Sequence, residues 1–90
     1  MPLLTLGLSH KSAPLAVRER LVFDNEQLVP SLVRLLERDG IREAALISTC
    51  NRTEVYTVVD SAERENALLL WLAESHGVDP GWLRPYVYAY

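Results

Sequence analysis

Ala44-Ala45-Leu46-Ile47-Ser48-Thr49-Cys50-Asn51-Arg52-Thr53-Glu54-Val55-Tyr56-Thr57-Val58-Val59 reads as two β-prone runs around a short polar stretch. Ala44 to Ser48 and Glu54 to Val59 are separated by a few turn-compatible residues, which predicts an antiparallel hairpin with Cys50, Asn51 and Arg52 at or near its bend. The chain's one cysteine therefore stands at a strand end, where scaffolds commonly present reactive groups. Cysteine is the side chain best suited to attack an ester at neutral pH, so Cys50 is the candidate nucleophile. Arg52, two residues on, is the candidate anchor for a carboxylate.

Upstream of the hairpin, Leu3-Thr5-Leu6-Leu8 reads as a strand containing Gly7, and Ser9 to Ala13 as the loop that follows. Pro14 suits a first helical position, giving a short helix from Pro14 to about Val22 with Val17 and Leu21 on one face. Asp24 suits the cap of the next. Leu28, Leu32, Leu35 and Leu36 recur at helical spacing and predict a helix over about Asn25 to Asp39, with Gly40 as a left-handed C-cap. Within it Pro30 either kinks the helix or moves its start later.

Downstream, Ser61 is placed to cap a third helix with Leu68, Trp71 and Leu72 on its buried face, ending at Gly77. Asp79-Pro80 caps one further turn containing Trp82 and Leu83. Tyr86 to Tyr90 closes as a strand. The order strand, helix pair, strand, strand, helix, strand is the split βαβ plan: an α+β, ferredoxin-like sandwich with a four-stranded antiparallel sheet and helices on one face. Fold alone says little about function.

Ninety residues, nearly half of them hydrophobic and about a quarter charged, fit one globular domain that buries about 60–65% of its unfolded surface. A net charge of −3 argues against a dedicated nucleic-acid module, because only Lys11, Arg18 and Arg20 approach a basic cluster. Any RNA contact is expected to be local. No apolar run approaches the ~20 residues that cross a bilayer, and the N-terminus lacks a basic segment ahead of an apolar one. One cysteine cannot form an internal disulfide, which suits a cytoplasmic setting, and with His10 and His76 it makes a poor metal site.

Gly7-Leu8-Ser9-His10-Lys11-Ser12-Ala13-Pro14, followed by Arg18-Glu19-Arg20, and then Ser48-Thr49-Cys50-Asn51-Arg52-Thr53-Glu54 with Tyr56, closely resemble the N-terminal domain of the glutamyl-tRNA reductase family. Ser12 and Leu15 are mild variants of its pattern. The resemblance covers essentially the whole chain and implies a single N-terminal catalytic, glutamate-recognition domain over residues 1–90. It implies the first step of tetrapyrrole synthesis, in which glutamyl-tRNA is reduced to glutamate-1-semialdehyde. In the family the cysteine matching Cys50 holds glutamate as a thioester, an NADPH-binding domain delivers hydride, and a helical domain makes a homodimer. Those two domains, and the family's assisting histidine, would lie beyond Tyr90. Glutamate-1-semialdehyde aminomutase follows as a pathway partner. No metal or haem is expected in these residues.

Thioester chemistry fits the residue types. An oxoester is a poor hydride acceptor, whereas a thioester is activated and its thiolate leaves readily, so covalent transfer divides one hard reduction into two easier steps. An unperturbed cysteine is only about 3% thiolate at neutral pH, and Arg52 is the nearest charge in sequence. Its better role is to clamp the glutamate side-chain carboxylate, which its planar fork matches bidentately. Residues two apart on an extended strand lie roughly 6.5 Å apart. That is close to the roughly 5 Å between the two carboxyl carbons of glutamate, four bonds of about 1.5 Å, although a turn at Asn51 would alter the estimate. Thr49 and Asn51 are expected to contact substrate, and Glu54 to orient Arg52.

The plainer readings are a noncatalytic ferredoxin-like binding or regulatory module with a buried structural Cys50, and a thiol redox domain. The second lacks a resolving cysteine. His10 reads as a loop residue holding the strand-to-helix turn rather than as a base. Arg18, Glu19 and Arg20 read as a solvated helix face or as a means of positioning the loop or the tRNA end. Tyr86, Tyr88 and Tyr90 read as sheet packing, Trp71 and Trp82 as core, and His76 as a favourable contact with a helix dipole. Exposed sheet edges predict some tendency to associate.

Overall fold

The computed structural model describes residues 2–90, so Met1 of the domain predicted over 1–90 lies outside the described residues. The elements are β1 (Leu3–Ser9), α1 (Leu15–Arg20), α2 (Asn25–Leu36), β2 (Ile41–Ser48), β3 (Arg52–Val59), α3 (Glu65–His76), α4 (Pro80–Leu83) and β4 (Tyr88–Ala89), with 3-10 turns at Ala62–Arg64 and Arg84–Tyr86. The strands form one sheet in the order β2-β3-β1-β4, and every neighbouring pair is antiparallel. That is the expected ferredoxin-like α+β arrangement, with the helices on one face.

Strand alternation sorts the side chains. Leu4, Leu6 and Leu8 of β1 and Val55 and Val59 of β3 point into the core, where they meet Val17, Leu35, Leu68, Trp71 and Leu72 from the helices and Leu21 from the residue that caps α1. The other face carries Thr5, Gly7 and Ser9 of β1, Arg52, Glu54 and Tyr56 of β3, and Tyr88 of β4. It is therefore the polar face that can host a site.

Local rules account for most boundaries. Asp24 accepts from Gln27 N–H at 2.8 Å and the Gln27 side chain returns to Asp24 N–H at 3.1 Å, a complete capping box that starts α2. The helix thus begins upstream of Pro30, and a later start is excluded. Pro30 is exposed, so the Glu26 carbonyl that it leaves without an amide donor can bond water instead. Gly77 takes the left-handed conformation, φ 64°, that ends α3.

Several expectations are corrected. Pro14 is the extended N-cap of α1 rather than its first helical residue. The second helix stops at Leu36, with Glu37 as its cap, and Gly40 serves the turn into β2 with φ 84°. A side chain there would run into the Arg64 guanidinium and the Asp60 carboxylate. Leu36 faces solvent, beyond the stripe that buries Leu35. The last strand is only Tyr88–Ala89, because Arg84–Tyr86 coils as a 3-10 turn. Trp82 is exposed, since a single-turn helix aims only Leu83 inward, and it sits under the Arg20 guanidinium at 5.1 Å.

His76 is corrected as well. Its ring stands edge-on to Phe23 at 4.4 Å with Nε2 buried and unpartnered, and burial pushes its pKa below 6.5. A depressed pKa means that the fold prefers the neutral imidazole. Its contribution to stability is present above pH 6.5 and is lost as pH falls through the depressed value. Replacing His76 by Leu is expected to flatten the decline in stability below pH 6.5, measured by urea unfolding across pH.

Candidate active site

The bend between β2 and β3 is held from several sides. Thr49 N–H donates to the Arg52 carbonyl at 2.8 Å, while Thr49 Oγ1 accepts the amides of Asn51 and Arg52 at 3.2 Å each. A threonine oxygen thus satisfies two turn amides that no strand partner reaches. The Asn51 carbonyl accepts from His10 N–H at 3.1 Å, joining the bend to the loop after β1. Ser48 Oγ accepts from Phe23 N–H at 2.9 Å and lies 3.2 Å from Thr53 Oγ1, which donates to the Leu21 carbonyl at 3.3 Å. Arg18 Nη1 donates to the Cys50 carbonyl at 3.1 Å. On this clamped backbone the Cys50 thiol is exposed.

Beside the bend lies an open groove of about 530 Å³. It is lined by Ser9 to Ser12 from the end of β1 and its loop, by Arg52 and Glu54 of β3 on one flank of β1, and by Tyr88 and Tyr90 on the other. Cross-strand pairs Gly7↔Glu54, Leu8↔Thr53 and Ser9↔Arg52 bring the two sequence motifs together there. Cys50 sits in the bend and Arg52 opens β3, so the separation of two residues on one extended strand does not apply to this pair.

Glu54 is the buried charge of this groove, with 5% of its side chain exposed. Its Oε1 accepts from Tyr56 Oη at 2.7 Å and from Arg52 Nη1 at 3.3 Å, and its Oε2 from Tyr88 Oη at 2.6 Å. Burial alone would push the carboxyl up. The hydroxyls of Tyr88 and Tyr56 and the Arg52 guanidinium outweigh it and hold the carboxyl below 4.5. Glu54 therefore fixes Arg52, as expected from sequence, and Arg52 stays half-exposed with most of its five N–H donors free.

The same contact raises the phenols. Burial and the bonded Glu54 carboxylate push Tyr88 up to about 12, and the Glu54 contact raises Tyr56 above 10.0. A raised phenol stabilises the fold fully below pH 10 and ceases to do so as pH rises through the folded value. Phenolate absorbance is expected to show a late ionisation near pH 12 that disappears in Tyr88→Phe. A titration complete well below that pH would contradict the Glu54–Tyr88 bond.

The described residues do not fit NADPH. Gly7 lies inside a strand rather than in a glycine-rich turn, α1 has only six residues, and an antiparallel sheet offers no dinucleotide crevice at a topological switch point. No group of three potential ligands that could hold a metal ion occurs among the described residues. No helix among them is long and apolar enough to cross a membrane.

The family model described as "Glutamyl-tRNAGlu reductase, N-terminal domain" matches residues 6–90. The chain belongs to this family. Curated relatives named glutamyl-tRNA reductase are 48% identical over 88 residues in Alkalilimnicola ehrlichii, covering 98% of this chain and 20% of the relative, and 47% identical over 89 residues in Coxiella burnetii, covering 99% and 21%. A third, from Marinomonas sp., is 38% identical over 90 residues, covering 100% and 21%. The chain thus spans about a fifth of the length of these relatives. A solved structure titled "Glutamyl-tRNA Reductase from Methanopyrus kandleri" shares the fold, with a TM-score of 0.65 at 22% identity over 97% of this chain and 18% of that one.

The fold holds Thr49, Cys50, Asn51 and Arg52 at one corner, and of these four Arg52 alone lines the groove. The same fold puts the His10 side chain in the groove wall and exposes the thiol that the noncatalytic reading requires to be buried. Sequence reasoning missed Tyr88 as a partner of Glu54, and Gly7 as the residue whose missing side chain leaves room for Glu54 over β1. A Cβ on Gly7 would lie 2.7 Å from both Glu54 Cγ and the Thr53 carbonyl oxygen. A glycine inside a strand was the available signal of such a close approach.

Proposed function

We propose that this chain is the acyl-accepting, glutamate-recognising domain of a glutamyl-tRNA reductase. The observation that supports this most is an exposed cysteine on a bend clamped by side chains from three elements, beside a groove whose arginine is held by a buried carboxylate. Glutamyl-tRNA is the substrate. Its side-chain carboxylate lies on the free donors of Arg52, and the aminoacyl carbonyl lies toward Cys50 with Asn51 and Thr49 flanking it.

The thiolate of Cys50 attacks the ester carbonyl. An Sγ–C bond forms, the ester C–O bond breaks, and the terminal ribose hydroxyl of the tRNA leaves with the proton lost by the thiol. The enzyme then holds a glutamyl thioester. Hydride transfer that converts it to glutamate-1-semialdehyde, at the start of tetrapyrrole biosynthesis, belongs to NADPH bound outside these residues. The homodimer and the aminomutase partner belong equally to the whole enzyme, as does a cytoplasmic setting.

Intact-mass spectrometry of the full-length enzyme mixed with glutamyl-tRNA, without NADPH, tests this reading. A glutamyl adduct on the wild type that maps to Cys50 is expected. An adduct that persists in Cys50→Ser, or forms on another residue, would overturn it.

A further inference from the structure

Arg18 stands apart from the rest of its helix. Its guanidinium joins two backbone carbonyls that are far apart in sequence: Nη1 donates to the Cys50 carbonyl at 3.1 Å and Nε to the Ala13 carbonyl at 3.1 Å. Ala13 is buried and closes the loop whose His10, Lys11 and Ser12 line the groove. The planar fork of arginine makes such a bridge possible, because its donors point in fixed, diverging directions. No other side chain among the described residues bonds the Cys50 backbone. Glu19 and Arg20, its neighbours on α1, are exposed, and the Arg20 guanidinium lies over the Trp82 ring instead.

We infer that Arg18 is the positioning residue for the Cys50 nucleophile, setting the thiol against the groove by tying the backbone of Cys50 to that of Ala13. This rests on the acyl-accepting reading above. A half-buried side chain that bonds a carbonyl rather than the thiol acts on where sulfur is, not on how reactive it is. Displacement of a reacting atom by about 1 Å can cost about 10²-fold in rate, so the consequence is a loss of rate and not of affinity.

The test uses the full-length enzyme with Arg18→Ala, Arg18→Lys and Cys50→Ser. Single-turnover transfer of glutamate from glutamyl-tRNA to the enzyme is expected to fall about 10²-fold in Arg18→Ala. The half-saturating concentration of substrate and the rate of Cys50 alkylation by iodoacetamide should stay at wild-type values. Arg18→Lys, which keeps the charge but replaces two separate planar donor nitrogens by one ammonium, is expected to fall between wild type and Arg18→Ala and guards against loss of folding in the alanine variant. Alkylation that slows in parallel with transfer would mean that Arg18 activates the thiol, and a raised half-saturation alone would make it a substrate contact. Either result, or wild-type transfer in both variants, overturns the inference. Full transfer in Cys50→Ser would instead remove the reading beneath it.

Discussion

Replacing Cys50 by Ser is expected to reduce turnover of the full-length enzyme by at least about 10³-fold while leaving its melting temperature unchanged. The two halves of that expectation come from different observations. Cys50 is exposed, so removing its sulfur leaves no cavity and should shift stability by no more than about 0.5 kcal/mol. The chemistry, by contrast, depends on sulfur twice. A serine hydroxyl is far less ionised than a thiol at neutral pH, and the ester it would form is no better a hydride acceptor than the starting ester. A variant with near-normal turnover would put the nucleophile elsewhere.

Gly7→Ala is expected to destabilise the domain by about 1–3 kcal/mol, which in a chain of this size lowers the melting temperature by roughly 4–8 °C per kcal/mol. The added methyl meets Glu54 Cγ, which can swing aside, and the Thr53 carbonyl oxygen, which cannot move without opening the ladder between β1 and β3. If Glu54 swings aside, it leaves Tyr88, Tyr56 and Arg52, so the late phenolate ionisation assigned to Tyr88 should move to lower pH in the same variant. Circular dichroism melting together with the absorbance titration checks both. An unshifted melt would show that the central strands are looser than their packing indicates.

Elements set by local rules were legible in the sequence. The hairpin, the Gly77 end of α3 and the Asp79 cap of α4 each rest on residues within a few positions of one another, and Asp24 was legible as a cap while Pro30 left the start of α2 open until the capping box decided it. What stayed hidden depends on which distant elements meet. His76 has the position of a dipole-stabilised cation, yet Phe23 covers it; Trp82 has the composition of a core residue, yet its helix is one turn long and α1 offers it Arg20. The site divides the same way. Cys50, Arg52 and Glu54 come from one contiguous stretch and could be read together. Tyr88 joins them only because β4 pairs with β1, placing Tyr88 opposite Gly7, which is itself opposite Glu54.

The buried Glu54 beneath a half-exposed Arg52 also has a consequence for how the groove responds to ionic strength. Salt screens exposed charges over about 8 Å at 0.15 M but reaches a buried pair poorly. Added salt should therefore weaken the outward pull of the guanidinium on an arriving carboxylate while the carboxylate beneath keeps it pointed the same way. Substrate capture would slow as salt rises, and the selectivity set by the direction of the arginine would persist.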